Sequence, residues 1–316
     1  MRMPRNSAPA RSLALLACLS AALPAKAQDS IESFSQITPH KGGKLATSFN
    51  PLVTGEASPA NLRDVICEAM LTKNGKPMQH GLTWRVFSPI PGADGKLPLL
   101  ATSEGGSAAF QLVPGEYFVN VAFGRAGATK KLLVPESDAV DKQVMVLDAG
   151  GLMLNAVSGS DVRIPPGELS FSIYAAEARE DGERSLVVAD VKPGTVVRLN
   201  AGTYHVVSDY GTVNAVIRAD IQVEAGKLTQ ATIQHKAAKL TLKLVSEPGG
   251  EAIADTAWSI LTSSGDVVSE SVGAFPTIVL AEGSYSAVAR NKDKIYQRDF
   301  TVTPGQNTDV EVLLTQ

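Results

Sequence analysis

One strand-like segment occurs three times in this chain at a fixed interval, and that repetition limits the fold more than any other feature. The copies read Leu82-Thr83-Trp84-Arg85-Val86-Phe87, Leu169-Ser170-Phe171-Ser172-Ile173-Tyr174 and Thr256-Ala257-Trp258-Ser259-Ile260-Leu261. Their central aromatics, Trp84, Phe171 and Trp258, are 87 residues apart in both intervals. Apolar and polar residues alternate in each copy, the period of a half-buried β-strand. A second motif, L-x-x-G-x-Y, follows each strand and ends at Tyr117, Tyr204 and Tyr285. It lies 33 residues after the aromatic in the first two copies and 27 in the third. The third copy is therefore six residues shorter, most simply in a hairpin loop. A third element opens each copy: the run from Val65 to Met70, then Leu152–Ser158, then Leu240–Ser246. Each copy closes on two further strands around a turn, as in Arg298–Val302, Pro304-Gly305-Gln306 and Val310–Leu314. Ordered elements at one spacing define a tandem repeat.

A repeat of this length is too long for a solenoid unit and matches a small sandwich with its own core. Glycine (27) and proline (18) are spread along the chain, which suits short strands and tight turns. The expected fold is all-β, three tandem Ig-like or prealbumin-like β-sandwich domains over residues 61–149, 150–237 and 238–316. Residues 28–60 show little periodicity and are expected to form an extended or disordered arm.

Residues 1–27 have the form of a secretion signal. Arg2, Arg5 and Arg11 precede the apolar stretch Ser12–Leu23, and Ala25-Lys26-Ala27 is an A-x-A cleavage site before Gln28. Removing four basic residues and no acidic one takes the net charge from −3 to −7. An acidic chain without a basic stripe argues against a nucleic-acid partner. No later segment is a transmembrane span. The expected location is periplasmic or extracellular. Leu15-Leu16-Ala17-Cys18 also resembles a lipoprotein box, which gives lipidation at Cys18 as the alternative. Cys67 is the other cysteine and lies in an apolar run, so it is expected in the core.

The recurring residues are read as structural. A large aromatic at one place in every copy acts as a core plug. The glycine of L-x-x-G-x-Y suits a corner that needs positive φ, and the tyrosine two residues on can return its hydroxyl to the backbone, as in a tyrosine corner. This pattern resembles bacterial immunoglobulin-like and prealbumin-like sandwiches, the carboxypeptidase regulatory-like domains in particular. The resemblance implies an accessory, spacer or binding module of exported proteins and carries no catalytic residue.

No motif for chemistry stands out. His40, His80, His205 and His235 have no companion at metal-ligand spacing, and His205 is expected to face solvent. Asp94-Gly95 and Asp181-Gly182 are hairpin-turn dipeptides. The charges from Glu177 to Arg184 have mixed signs, unlike a calcium loop. Neither G-x-S-x-G nor a phosphate loop is present. Lys130-Lys131 and Arg290-Asn291-Lys292-Asp293-Lys294 are basic patches that align in this reading between the first and third copies. No catalytic, cofactor-binding or metal residue is assigned, and no cofactor is expected. The sequence thus favours a non-enzymatic exported interaction or scaffold protein with a protein or cell-envelope partner. The alternative is a ligand carrier or enzyme whose site forms between repeats.

Overall fold

A computed structural model describes residues 62–137 and 141–314. Residues 1–61 lie outside the described residues, and with them the expected leader and arm, Cys18, His40 and the expected cleavage site before Gln28. Between them the strands form six sheets that face one another in pairs around three hydrophobic cores.

The first pair contains β1 (Arg63–Met70), β2 (Leu82–Phe87), β3 (Leu99–Gly105), β4 (Ala108–Leu112), β5 (Gly115–Phe123), β6 (Ala126–Val134) and β7 (Asp141–Val146). Its sheets run β4-β1-β7 and β3-β2-β5-β6. The second pair uses β8 (Ala149–Ser158), β9 (Val162–Arg163), β10 (Leu169–Ala178), β11 (Arg184–Val191), β12 (Val196–Asn200), β13 (Gly202–Tyr210), β14 (Ala215–Val223) and β15 (Leu228–His235). A 3-10 turn at Pro166–Glu168 leads into β10. Its sheets run β12-β8-β15, with β9 on β8, and β11-β10-β13-β14. The third pair uses β16 (Ala237–Val245), β17 (Thr256–Thr262), β18 (Val267–Val272), β19 (Thr277–Ala281), β20 (Gly283–Asn291), β21 (Lys294–Val302) and β22 (Thr308–Leu313). Its sheets run β19-β16-β22 and β18-β17-β20-β21. Ala149 packs with the first core and Leu152 with the second; Ala237 packs with the second and Ala238 with the third.

The alternating strands bury one face each, as β2 does with Leu82, Trp84 and Val86. Trp84, Phe171 and Trp258 occupy the same place on β2, β10 and β17, and all three are at most 1 % exposed. The indole N–H of Trp84 donates to the Gly106 carbonyl at 2.8 Å, and that of Trp258 to Gly273 at 3.0 Å. A buried indole N–H needs such a partner; Phe171 has no N–H and needs none. The three motif tyrosines behave alike too. Tyr117, Tyr204 and Tyr285 donate to the carbonyls of Val113, Asn200 and Ala281, four residues back, at 2.9, 2.9 and 3.1 Å. Gly115, Gly202 and Gly283 have φ of 153°, 151° and 153°, values glycine adopts far more readily than other residues. Cys67 is buried in the first core.

Two fold features were not read from the sequence. The closing strands β7, β15 and β22 pair parallel with the opening strands β1, β8 and β16, so the chain crosses from one sheet to the other before the last strand. The second feature is a bulge shared by all three units. Phe87 pairs with Leu99, Tyr174 with Leu186 and Leu261 with Val267, and in each case the register slips by one residue next to that pair. The residues after these edge partners, Leu100, Val187 and Val268, turn inward onto the cores. From the inner partner to the outer one, the first two hairpins span 12 residues and the third spans 6. This locates the six-residue deletion in the β17–β18 loop.

Candidate functional site

The residues considered for chemistry are dispersed. His80 is exposed, while His205 is mostly covered and does not simply face solvent: its Nδ1 lies 2.7 Å from Asp220 Oδ1 on the neighbouring strand. His235 is buried, with Nε2 2.8 Å from Ser208 Oγ and its ring edge-on to Tyr210. Desolvation holds its pKa at about 4, below the ordinary 6.5. Ser208 is fully buried as well, so this serine–histidine contact is closed to substrate. Asp94 and Asp181 accept from the backbone N–H of Lys96 and Glu183 within their own turns. Among the described residues, no three His, Cys, Asp or Glu side chains gather as a metal-ligand set.

The two basic patches are not equivalent. Lys130 and Lys131 lie on β6, where Lys131 pairs with Glu116 and Lys130 donates to Gln143. Arg290–Lys294 instead surrounds the β20–β21 turn. Counting from the tyrosine corners, Lys292 matches Gly124 and Gly211, each seven residues on. The alignment of the two patches is corrected accordingly.

The turns at Gly124 and Gly211 form the junctions between successive sheet pairs. At the first junction the β5–β6 turn docks on β12. A Cβ on Gly124 (φ 65°) would lie 3.0 Å from Arg198 Cβ. The Asn200 amide donates to the carbonyls of Gly127 and Leu147 at 3.1 and 2.7 Å, and its Oδ1 accepts from Gly127 N–H at 3.1 Å. The Arg198 guanidinium covers the Phe123 ring, 4.6 Å from its centre.

At the second junction the β13–β14 turn docks on β19. A Cβ on Gly211 (φ 72°) would lie 2.7 Å from Val279 Cβ. Asn214 donates to the Tyr285 hydroxyl and accepts from Ala281 N–H, both at 2.9 Å. Close backbone approach thus requires glycine at both turns. Lys292 keeps the left-handed conformation (φ 54°), but its turn has no further unit to dock on among the described residues.

Beside the second docking contact lies a cleft of about 340 Å³. One wall is the 3-10 turn with Glu168 and the β13–β14 turn; the other is Lys239 of β16, Ser269, Glu270 and Ser271 of β18, and Val279 of β19. Lys239 Nζ lies 2.5 Å from Glu168 Oε1. The second carboxylate oxygen of Glu168 is buried with no hydrogen-bond partner. Tyr210, behind the turn, has its pKa raised by burial and then by the charge of Glu168. The cleft was not read from the sequence. A signal was present: Glu168 and Lys239 stand where the preceding copy has Gly81 and Gly151.

A family model described as the Rhizobiales growth-associated tandem repeat domain matches residues 239–314, the third sheet pair. No curated protein matches the chain. Solved structures similar to it include the TIE protein of Bacillus anthracis, at 16 % identity over 80 % of this chain, with a TM-score of 0.24. The chain spans 51 % of that protein. A streptococcal ancillary pilin is 11 % identical over 80 % of this chain and 98 % of its own, with a TM-score of 0.26. The minor pilin GBS52 of Streptococcus agalactiae is 14 % identical over 55 % of this chain and 95 % of its own, with a TM-score of 0.30. The chain is a tandem-repeat β-sandwich protein on the evidence of its own sheets. No helix among the described residues is long and apolar enough to cross a membrane.

Proposed function

We propose that this is a non-catalytic envelope protein, exported by its leader. Its three sandwich domains, 61–149, 150–237 and 238–316, form a scaffold that presents one repeated edge to a protein or cell-envelope partner. The observation that carries this reading is the recurrence of an exposed apolar residue at one position of the outer strand. Leu99, Leu186 and Val267 are 49 %, 55 % and 57 % exposed, each beside the shared bulge. Single exposed apolar residues are ordinary; the same register in three units is not. Docked junctions support a scaffold that holds these edges in a fixed relation. The likeness to carboxypeptidase regulatory-like domains fits an accessory role of this kind.

The test is affinity capture from the native envelope with residues 28–316 as bait, beside a variant carrying Leu99→Lys, Leu186→Lys and Val267→Lys. The substitutions face solvent, so the melting temperature is expected to hold while the captured partner is lost. Capture of the same partner by both baits would refute the edge reading. The cleft at the second junction supports a second reading, a protein that also holds a small ligand.

A further inference from the structure

The first sandwich carries an exposed apolar patch that the other two lack. Phe87 and Phe118 alternate with the core residues Val86 and Val119, so they stand on the outward face of their sheet. One cross-strand row joins Leu99, Phe87, Phe118 and Lys131. Leu133, the next outward residue along β6, is 67 % exposed. The β2–β3 hairpin continues past the row and adds Leu97 and Ile90, the latter 73 % exposed. The repeats are controls for one another. The place of Phe87 stays apolar, as Tyr174 and Leu261, but Phe118 becomes His205 and Ser286, and Leu133 becomes Gln222 and Thr301. The second hairpin has the charged run 179–184 at its tip, and the third is short. A sandwich of this fold therefore forms without the patch. Scattered apolar surface residues are ordinary, whereas several gathered on one unit mark a contact.

The chain enters this sandwich beside the patch. Arg63, the first residue of β1, donates from Nε and Nη2 to the Glu136 carbonyl at 3.1 and 2.7 Å. Glu136 lies three residues beyond Leu133. The segment before β1 therefore joins the sandwich at the end where Leu133 and Phe118 stand. The second and third sandwiches have no such segment, since β7 and β8, like β15 and β16, follow one another within a few residues. Within that segment, residues 45–53 hold Leu45, Phe49, Leu52 and Val53 and no charge. Extended, the nine residues from Val53 to Leu62 reach about 30 Å. The four strands of the sheet span about 15 Å.

We infer that the occupant of the patch is the chain itself: residues 45–53 fold back over the first sandwich, with Phe49 and Leu52 on Phe87, Phe118 and Leu133. The one unit that adjoins such a segment is the one whose outward face is apolar, and the segment is uncharged where it would meet that face. Leu99 alone is shared with the edge strands proposed above. The variants that follow leave Leu99 in place, so either reading can fail alone.

The test compares amide chemical shifts of residues 28–316 with those of a Phe49→Ser/Leu52→Ser variant, whose substitutions lie before β1 and spare all three cores. Shift changes are expected at Phe87, Phe118 and Leu133, and none at Tyr174, His205 and Gln222, the matching places of the second unit. Leu133→Lys, at an exposed site, is the reciprocal variant and is expected to move the amides of Phe49 and Leu52. The shifts of the parent chain at these positions should not change on dilution. Shifts that change on dilution would assign the patch to the segment of a second copy and overturn the proposal. No change at Phe87, Phe118 and Leu133, or equal change in the second unit, would also overturn it and leave the patch to an outside partner.

Discussion

Trp258→Ala removes the largest side chain of the third core, a ring only 1 % exposed whose N–H donates to Gly273. Truncating a buried tryptophan costs about 3–5 kcal/mol, and the lost hydrogen bond adds about 1 kcal/mol. A unit of about 80 residues has a total stability of roughly 4–12 kcal/mol. At this size each kcal/mol moves the midpoint by about 4–8 °C, so a downward shift on the order of 20–30 °C follows. The damage should be confined to one transition, because Trp258 packs only within the third core. Calorimetry on residues 28–316 is the assay. One transition should fall steeply while those of the other two sandwiches move by a few degrees at most. Trp258→Phe sharpens the test, since Phe171 fills the same place in the second unit without an N–H. That variant should lose only about 1–2 kcal/mol. A Trp258→Ala protein that melts like the parent would remove the core-plug reading. Equal collapse of all transitions would show that the units do not fold independently.

Three other outcomes are expected. His235 has a folded-state pKa of about 4 against 6.5 unperturbed, so between those values the unfolded chain binds a proton that the folded chain refuses. Stability of the second unit should therefore fall as pH drops below 6.5, by about 2–3 kcal/mol at pH 4.5, with the loss from this group levelling off as pH falls through 4; denaturant midpoints at pH 7 and 4.5 measure it, and an unchanged midpoint contradicts it. Gly211→Ala should loosen the second junction, because its Cβ would lie 2.7 Å from Val279 Cβ and its φ is 72°, whereas Lys292→Gly, at a turn with no such contact, should be neutral or slightly stabilising; residual dipolar couplings between the second and third units, with melting curves, separate the two. Mass spectrometry of the native N-terminus should find Gln28 first, and a diacylglyceryl group on Cys18 would replace that reading with the lipoprotein one.

The repeats, the aromatic plugs and the tyrosine corners were legible because each is set by residues close in sequence. Alternation by two marks a strand face, a glycine marks the strained corner, and a tyrosine reaches a carbonyl four residues back whatever the rest of the chain does. Three copies at one spacing made these local signals unmistakable. Even the length of the deletion in the third copy could be counted, although the strand register was needed to locate it in the β17–β18 loop. The junctions were different in kind. Arg198 meets Phe123 from 75 residues away, and Lys239 meets Glu168 from 71. Nothing in local spacing says which edge of one sandwich will face the turn of another. The parallel closing strands were equally hidden, because a period of two marks a strand without stating its direction. The two basic patches are a different case: surface charges carry no register of their own, and counting from the motif tyrosines in the sequence places Lys292 where the other copies have Gly124 and Gly211. The sequence by itself determined each sandwich, because a core is built from periodic apolar residues. Tertiary structure alone decided how the sandwiches meet and left the cleft beside Glu168, because contact between units depends on the shape and charge of surfaces that no periodicity encodes.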